Sequence, residues 1–129
     1  MTVAVLDASA LLALLLNEPG AAKVKAVLAE SSMTTVNLAE VVGHYARNGV
    51  SERDIHAVLA QLPVEYVAPD EALAYQIGLL LPITKAAGLS IGDRACLALA
   101  KRLGVPAITA DRQWLSVATA ARAVIEVIR

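Results

Sequence analysis

Four acidic residues stand in the least polar parts of the sequence. Asp7 and Asp111 each follow a short apolar run. Glu40 lies inside an apolar segment, and Asp93 begins a long apolar stretch. If the four side chains meet, two of them about 4 Å apart repel by about 4 kcal/mol at an effective dielectric constant near 20. Such a group stays ionised only with cations beside it, or else one member binds a proton.

A cluster of carboxylates with few nitrogen ligands favours Mg²⁺ or Mn²⁺ over Zn²⁺. The two histidines, His44 and His56, do not supply a zinc pattern. Carboxylate-bound Mg²⁺ usually keeps several waters and completes its shell with substrate phosphate. One or two such ions can activate a water and stabilise the leaving oxygen of an in-line displacement. The predicted chemistry is hydrolysis of a phosphodiester.

Each acid also has a purely structural interpretation. Asp7 could cap the helix that follows it, and Asp93 and Asp111 could be first-turn residues favoured by the helix dipole. Asn37 and Glu40 have the spacing of a capping box. On this interpretation the protein is a catalytically silent α/β interaction domain whose acids only cap helices.

A second enzyme class is a small phosphohydrolase that uses Asp7 as a covalent nucleophile. That chemistry usually needs another acid two positions later, and this sequence has Ser9 there. The metal-dependent interpretation therefore explains the residues better.

The elements that would position the acids alternate between strands and helices. Strands are predicted at 2–6, 33–36, 64–67, 107–109 and 124–128, and helices at 9–16, 21–30, 37–48, 51–62, 70–81 and 91–103. This order is typical of an α/β fold in three layers, with a mostly parallel central sheet of about five strands, in a single domain over 1–129. Ligands bind such sheets outside the carboxyl ends of the strands.

The composition excludes several classes of protein. The 129 residues are 57% hydrophobic with a formal net charge of −1, which excludes disorder and argues against a basic, non-specific polyanion binder. The single cysteine, Cys96, excludes a disulfide scaffold, and we expect it to be a reduced core residue. The surplus of apolar residues predicts self-association or a protein partner.

The apolar run at 8–16 is too short for a membrane span, which needs about 20 residues. No basic residue precedes it, as one would in a signal peptide. We interpret it as a buried helix in a cytoplasmic protein that does not associate with membranes.

Four stretches carry a family resemblance. They are VLDAS at 5–9, VNLAEVV at 36–42, GLSIGDRACLALAKRLG at 88–104 and PAITADRQW at 106–114. In this order and spacing the chain resembles the PIN-domain ribonucleases, specifically the VapC-type toxins of type II toxin–antitoxin systems. The resemblance implies a PIN-like α/β/α fold and an Mg²⁺- or Mn²⁺-dependent endoribonuclease. It also implies a homodimer and a small VapB-type antitoxin whose tail crosses the active-site groove.

The resemblance also implies roles for the acids. They fall on the acidic quartet that binds Mg²⁺ or Mn²⁺ in PIN nucleases, with Asp7 and Asp93 as the direct ligands. Glu40 and Asp111 would complete the shell, through water or by orienting the nucleophile.

Three polar residues fall on supporting positions of the same motifs. Ser9 is the small hydroxyl residue that commonly follows the first acid by two positions, and Thr109 is similarly placed before the last acid. Asn37 stands where many relatives carry a hydroxyl residue.

Three arginines are candidates for gripping the RNA backbone, because the guanidinium group suits phosphate. Arg94 and Arg112 directly follow two of the acids, and Arg47 lies beyond Glu40 in the same predicted helix. Trp114 could stack on a base, but a lone tryptophan is more often packing, and we expect packing here.

Overall fold

A five-stranded parallel sheet in the order β3-β2-β1-β4-β5 forms the centre of the computed structural model, which describes residues 1–129. The strands are β1 (Ala4–Leu6), β2 (Ser31–Thr34), β3 (Glu65–Val67), β4 (Ala107–Thr109) and β5 (Ile125–Val127). The chain adds β2 and β3 on one side of β1 and then returns to add β4 and β5 on the other. Strand order therefore reverses between β1 and β4, which is where ligands bind in open α/β sheets.

Helices cover both faces of this sheet. They are α1 (Ala8–Leu15), α2 (Ala21–Val27), α3 (Thr35–Arg47), α4 (Glu52–Leu59), α5 (Glu71–Leu79), α6 (Leu81–Thr84), α7 (Ile91–Leu103) and α8 (Ala118–Ala121), with 3₁₀ helices at Leu28–Glu30, Lys85–Ala87 and Arg112–Val117. This architecture confirms the predicted three-layer α/β fold and its parallel sheet of five strands. None of the helices combines the length and hydropathy that crossing a bilayer requires.

Two apolar cores separate the layers, because successive residues of a strand point to opposite faces of the sheet. In β1, Val5 packs into the core beneath α5 and α7, and Leu6 packs into the core beneath α1, α2 and α3. Helix α7 is the most buried helix, with seven buried residues, so packing fixes its position against the sheet.

Trp114 is fully buried in the core beneath α5 and α7, so the packing expectation is correct and the ring is not available to a base. Cys96 is likewise buried and free, as expected. Its thiol has a pKa well above the usual value because it is desolvated by burial.

The segment around β2 differs from the prediction. The strand is Ser31–Thr34 and α3 begins at Thr35, whereas a strand over 33–36 and a helix from Asn37 were predicted. Ser31 and Ser32 are buried although they are polar, so a search for apolar runs does not recognise them as part of a strand. The Thr34 hydroxyl caps α3 by accepting from the Asn37 backbone N–H at 3.1 Å.

The predicted capping box of Asn37 with Glu40 is therefore wrong, because Thr34 is the N-cap. The predicted helix over 70–81 also ends early. Helix α5 stops at Leu79, and Pro82 lies in the first turn of the separate helix α6, where its missing N–H costs no hydrogen bond.

Two glycines with positive φ provide a matched test of the packing at the C-terminal strand. Gly20 (φ +95°) would place a Cβ 2.7 Å from Cγ1 of Ile128, whereas Gly49 (φ +82°) faces open space. Alanine costs roughly 1–2 kcal/mol at either position for the left-handed backbone. Gly20→Ala adds an overpacking cost of about 1–3 kcal/mol.

We therefore expect Gly20→Ala to lower the free energy of unfolding in urea by at least about 1 kcal/mol more than Gly49→Ala does. Equal losses would contradict the tight contact between the α2 N-terminus and Ile128.

Candidate active site

The carboxyl ends of β1 and β4 lie side by side where strand order reverses. Asp7 directly follows β1, and its backbone N–H donates to the Ile108 carbonyl of β4 at 3.0 Å. Asp111 comes two residues after β4. The topology alone therefore brings two of the four candidate acids to one edge of the sheet.

Asp7 is buried, with 3% of its surface exposed, and its carboxylate accepts hydrogen bonds from three groups. The Ala10 backbone N–H donates to Oδ1 at 2.8 Å, so Asp7 is the N-cap of α1. The Thr109 hydroxyl donates to Oδ2 at 2.6 Å, and the Ser9 hydroxyl lies 2.7 and 2.8 Å from the two oxygens. Desolvation and, to a smaller extent, the charge of Asp93 outweigh these donors and together raise the pKa of Asp7 to about 6.

The two hydroxyl residues also hold the loop after β4. Ser9 Oγ accepts from the Ala110 backbone N–H at 2.9 Å, and Thr109 Oγ1 accepts from the Asp111 backbone N–H at 3.0 Å. One network thus joins Asp7 to the loop that carries Asp111. The sequence placed Ser9 and Thr109 near Asp7 only through the family resemblance, and the structure brings them into direct contact with it.

Asp93 lies at the third position of α7 and forms a reciprocal capping box with Ser90. The Ser90 backbone N–H donates to Asp93 Oδ2 at 2.9 Å, and the Asp93 backbone N–H donates to Ser90 Oγ at 3.2 Å. Partial burial raises the pKa of Asp93 despite these bonds, and the charge of Asp111 raises it as well.

Glu40 lies in the second turn of α3 beside the first turn of α7. A Cβ built on Gly92 would overlap the Glu40 carboxylate, so the side chain lies directly against the α7 backbone. The Asn37 side-chain N–H donates to Glu40 Oε1 at 3.1 Å. Desolvation raises the pKa of Glu40, and the charge of Asp93 adds to that increase.

Asp93 links the four acids. Its charge raises the pKa of both Asp7 and Glu40, and Asp111 in turn raises the pKa of Asp93. Each of the four acids therefore interacts electrostatically with at least one of the others. The positive charge of Arg94 lowers the pKa of Asp93, but this effect is weaker than those of burial, of the Ser90 hydrogen bonds and of Asp111.

The donor set fits a hard divalent cation. All four side chains offer carboxylate oxygens, three of them have raised pKa values, and a bound cation would relieve the repulsion among them. No three acidic, histidine or cysteine side chains lie close enough together to hold a metal ion as they stand. A cation here would be bound directly by one or two of the carboxylates and would keep several waters, as protein-bound Mg²⁺ usually does.

The three candidate arginines occupy different surroundings. Arg94 is half-buried in the first turn of α7, and its Nε–H has no partner. Arg112 is exposed and donates to the Arg129 carbonyl at 3.2 Å. Arg47 is exposed at the end of α3, with its guanidinium 3.5 Å from Nδ1 of His44, roughly 10 Å along the helix axis from Glu40.

Sequence reasoning missed three residues that shape the site, namely Thr34, Ser90 and Gly92. The spacing of Ser90 and Asp93 is that of a capping box, so this pair could have been found from the sequence. Thr34 was hidden by the misplaced start of α3. Gly92 has no local signal, because its role depends on the approach of Glu40 from another helix.

The chain matches the sequence profile of the PIN domain over residues 4–120 and therefore belongs to the PIN domain family. No curated protein sequence gives a significant match. The family assignment agrees with the resemblance seen in the four sequence motifs.

Solved structures share the whole fold at low sequence identity. The DNA-bound VapBC complex from Salmonella typhimurium is 15% identical with a TM-score of 0.76, and the match covers 100% of both chains. VapBC-1 from nontypeable Haemophilus influenzae is 20% identical with a TM-score of 0.72 over 98% of each chain. VapBC-5 from Mycobacterium tuberculosis, a member of the VapBC family of toxin–antitoxin systems, is 24% identical with a TM-score of 0.59 over 100% of this chain and 99% of that one. These likenesses confirm the PIN-like fold.

The raised pKa of Asp7 predicts a pH dependence of stability in the absence of divalent ions. The native protein holds the Asp7 proton more tightly than the unfolded chain between pH 3.8 and about 6. The free energy of unfolding should therefore fall as the pH rises through this window, by about 3 kcal/mol for a shift of about two pKa units.

Asp7→Asn cannot ionise and should show a shallower fall when urea unfolding is measured in EDTA across the same window. Parallel curves for the wild type and the variant would show that Asp7 does not carry this raised pKa.

Proposed function

We propose that the protein is a divalent-metal-dependent endoribonuclease that acts as the VapC-type toxin of a type II toxin–antitoxin pair. The observation that carries the proposal is a group of four carboxylates, each interacting electrostatically with Asp93 or through it, beside the point where strand order reverses in a PIN fold. The low-identity solved structures with this fold that are named above are toxin–antitoxin proteins, which supports the toxin role.

In this proposal Asp7 and Asp93 hold one or two Mg²⁺ or Mn²⁺ ions, and Glu40 and Asp111 complete the site through water or orient the attacking water. When bound, the metal supplies an activated water and stabilises the leaving oxygen of the cleaved phosphodiester. Ser9 and Thr109 keep the Asp7 carboxylate in one orientation through the hydrogen bonds described above.

The basic side chains near the acids would bind the RNA phosphates. Arg94 lies next to Asp93 in the first turn of α7, and its positive charge reaches that acid, so it lies beside the proposed site. Arg112 and Arg47 are exposed and would extend the contact along the RNA backbone.

A phosphohydrolase with Asp7 as the nucleophile is poorly supported. That chemistry usually needs another acid two positions after the nucleophile, and Ser9 stands there. The Ser9 hydroxyl donates to the Asp7 carboxylate and cannot replace an acid.

One observation favours the alternative function, a catalytically silent interaction domain whose acids only cap helices. Asp7, Asp93 and Asp111 each accept a backbone N–H at a helix start, so all three cap helices whether or not they also bind a metal. The experiment that separates the two functions must therefore remove the charge of an acid and keep its capping geometry.

Asp93→Asn meets this requirement. We expect it to reduce Mg²⁺- or Mn²⁺-dependent RNA cleavage by more than about 100-fold, because a direct metal ligand should matter more than the outer partners of a site. Its stability should change by about 1 kcal/mol at most. The measurement is 5′-end mapping of cleaved RNA, and EDTA should abolish cleavage by the wild type.

Asp54→Asn is the matched control, since Asp54 holds the same helix position after the N-cap Ser51 in α4. It should cleave RNA like the wild type. A wild type that cleaves no RNA with either metal, or an Asp93→Asn variant with full activity, would contradict the nuclease proposal.

Two apolar surfaces support the proposed homodimer and VapB-type antitoxin. Tyr75 and Leu79 on α5 are 67% and 65% exposed, and Leu81 and Ile83 on α6 extend the same apolar stretch. A separate apolar groove lies between α3 and α4, and the Tyr66 hydroxyl that lines it is buried without a hydrogen-bond partner.

Leu79→Glu should abolish self-association measured by sedimentation, because it places a charge in the exposed apolar surface of α5. Val124→Glu is the control, since Val124 is 64% exposed and lies just before β5. A wild type that is monomeric at high concentration, or a Leu79→Glu variant that still self-associates, would count against this surface as the dimer interface.

A further inference from the structure

Asn37 is fully buried, and both the oxygen and the nitrogen of its side-chain amide form hydrogen bonds. The Thr34 hydroxyl donates to Asn37 Oδ1 at 2.6 Å. Asn37 Nδ2 donates to the Gly92 carbonyl at 2.9 Å and to Glu40 Oε1 at 3.1 Å. One side chain therefore joins the end of β2, the helix α3 and the first turn of α7.

The chemistry of these partners fixes the orientation of the amide. Thr34 Oγ1 accepts from the Asn37 backbone N–H, so its own proton is free to donate to Oδ1. Glu40 Oε1 and the Gly92 carbonyl are both acceptors, and only the NH₂ group can satisfy them. A flipped amide would place an oxygen against a carboxylate and a carbonyl, so the orientation is determined.

Gly92 allows the Glu40 carboxylate to lie directly against α7. Its φ angle does not require glycine, but any Cβ there would overlap the Glu40 carboxylate. Glu40 is thus held on one side by the Asn37 amide and rests on the bare α7 backbone on the other. Asp93 follows Gly92 directly, so this contact sets the position of Glu40 relative to Asp93.

We infer that Asn37 is a positioning residue that holds the Glu40 carboxylate beside Asp93 and leaves Oε2 free to face the proposed cation. The inference rests on the proposed function, because it assigns Asn37 a role toward that cation. The amide carries no charge, so it donates to Glu40 at every pH at which the protein is folded. A hydroxyl at this position would have one proton and could not donate to both Glu40 and Gly92.

The test is the affinity for Mn²⁺ alone, measured by calorimetry with no RNA present. We expect Asn37→Ala and the uncharged, similarly sized Asn37→Leu to weaken Mn²⁺ binding by about 10–100-fold, the usual effect of removing a partner that orients a metal ligand. Asn48→Ala is the matched control, because Asn48 is on the same helix and its side chain donates to the His44 carbonyl at 2.7 Å, away from the acids. It should bind Mn²⁺ like the wild type.

A double-mutant cycle separates positioning from a merely structural effect. If Asn37 acts through Glu40, Asn37→Ala should cost little further affinity in the Glu40→Gln background, since coupled residues are not additive. An unchanged loss in that background, or wild-type affinity in folded Asn37→Ala and Asn37→Leu, would overturn the inference. A wild type that binds no Mn²⁺ would instead overturn the proposed function, and this inference with it.

The wild type provides a readout if both Asn37 variants fail to fold. On addition of Mg²⁺, the NMR signals of the Asn37 side-chain amide should shift, whereas those of Asn48 should not. Unshifted Asn37 signals at a Mg²⁺ concentration that saturates the protein would contradict the inference.

Discussion

Desolvation of acidic side chains at the carboxyl end of the sheet, together with the repulsion between them, dominates the energetics of this protein. Asp7 is held almost without water, and three donors do not offset that cost, since its pKa remains raised to about 6. Asp93 and Glu40 are raised as well. Above the pKa of an ordinary carboxyl group, these raised pKa values mean that ionisation of the acids opposes folding, and a bound cation would offset that cost.

Three of the acids also stabilise the start of the helix that follows or carries them. Asp7 caps α1, Asp93 completes a capping box at α7, and Asp111 accepts the Gln113 backbone N–H at 2.9 Å. Strands β1 and β4 are parallel neighbours, so the residues that follow them necessarily meet. Capping and site formation are therefore two consequences of the same placement, and the structural interpretation of these acids does not compete with the functional one.

Local sequence patterns predicted the sheet and the position of Asp7 and Asp111 after its strands, but they did not predict long-range contacts. The apolar runs of β1 and β4 and the apolar pattern of α7 led to a parallel sheet with acids at its carboxyl edge. The polar residues Ser31 and Ser32 hid β2, because a central strand in this fold is buried whatever its hydrophobicity. The contacts of Asn37 with Gly92, 55 residues away, depend on how α3 and α7 pack and have no signature in the sequence.

Whether the four acids bind a cation as one site can be measured with an anomalous difference map from crystals of the protein grown with Mn²⁺. We expect a peak at the carboxyl ends of β1 and β4, bounded by Asp7 and Asp93. A fully occupied Mn²⁺ peak elsewhere on the molecule, or none in crystals that retain activity, would contradict the account.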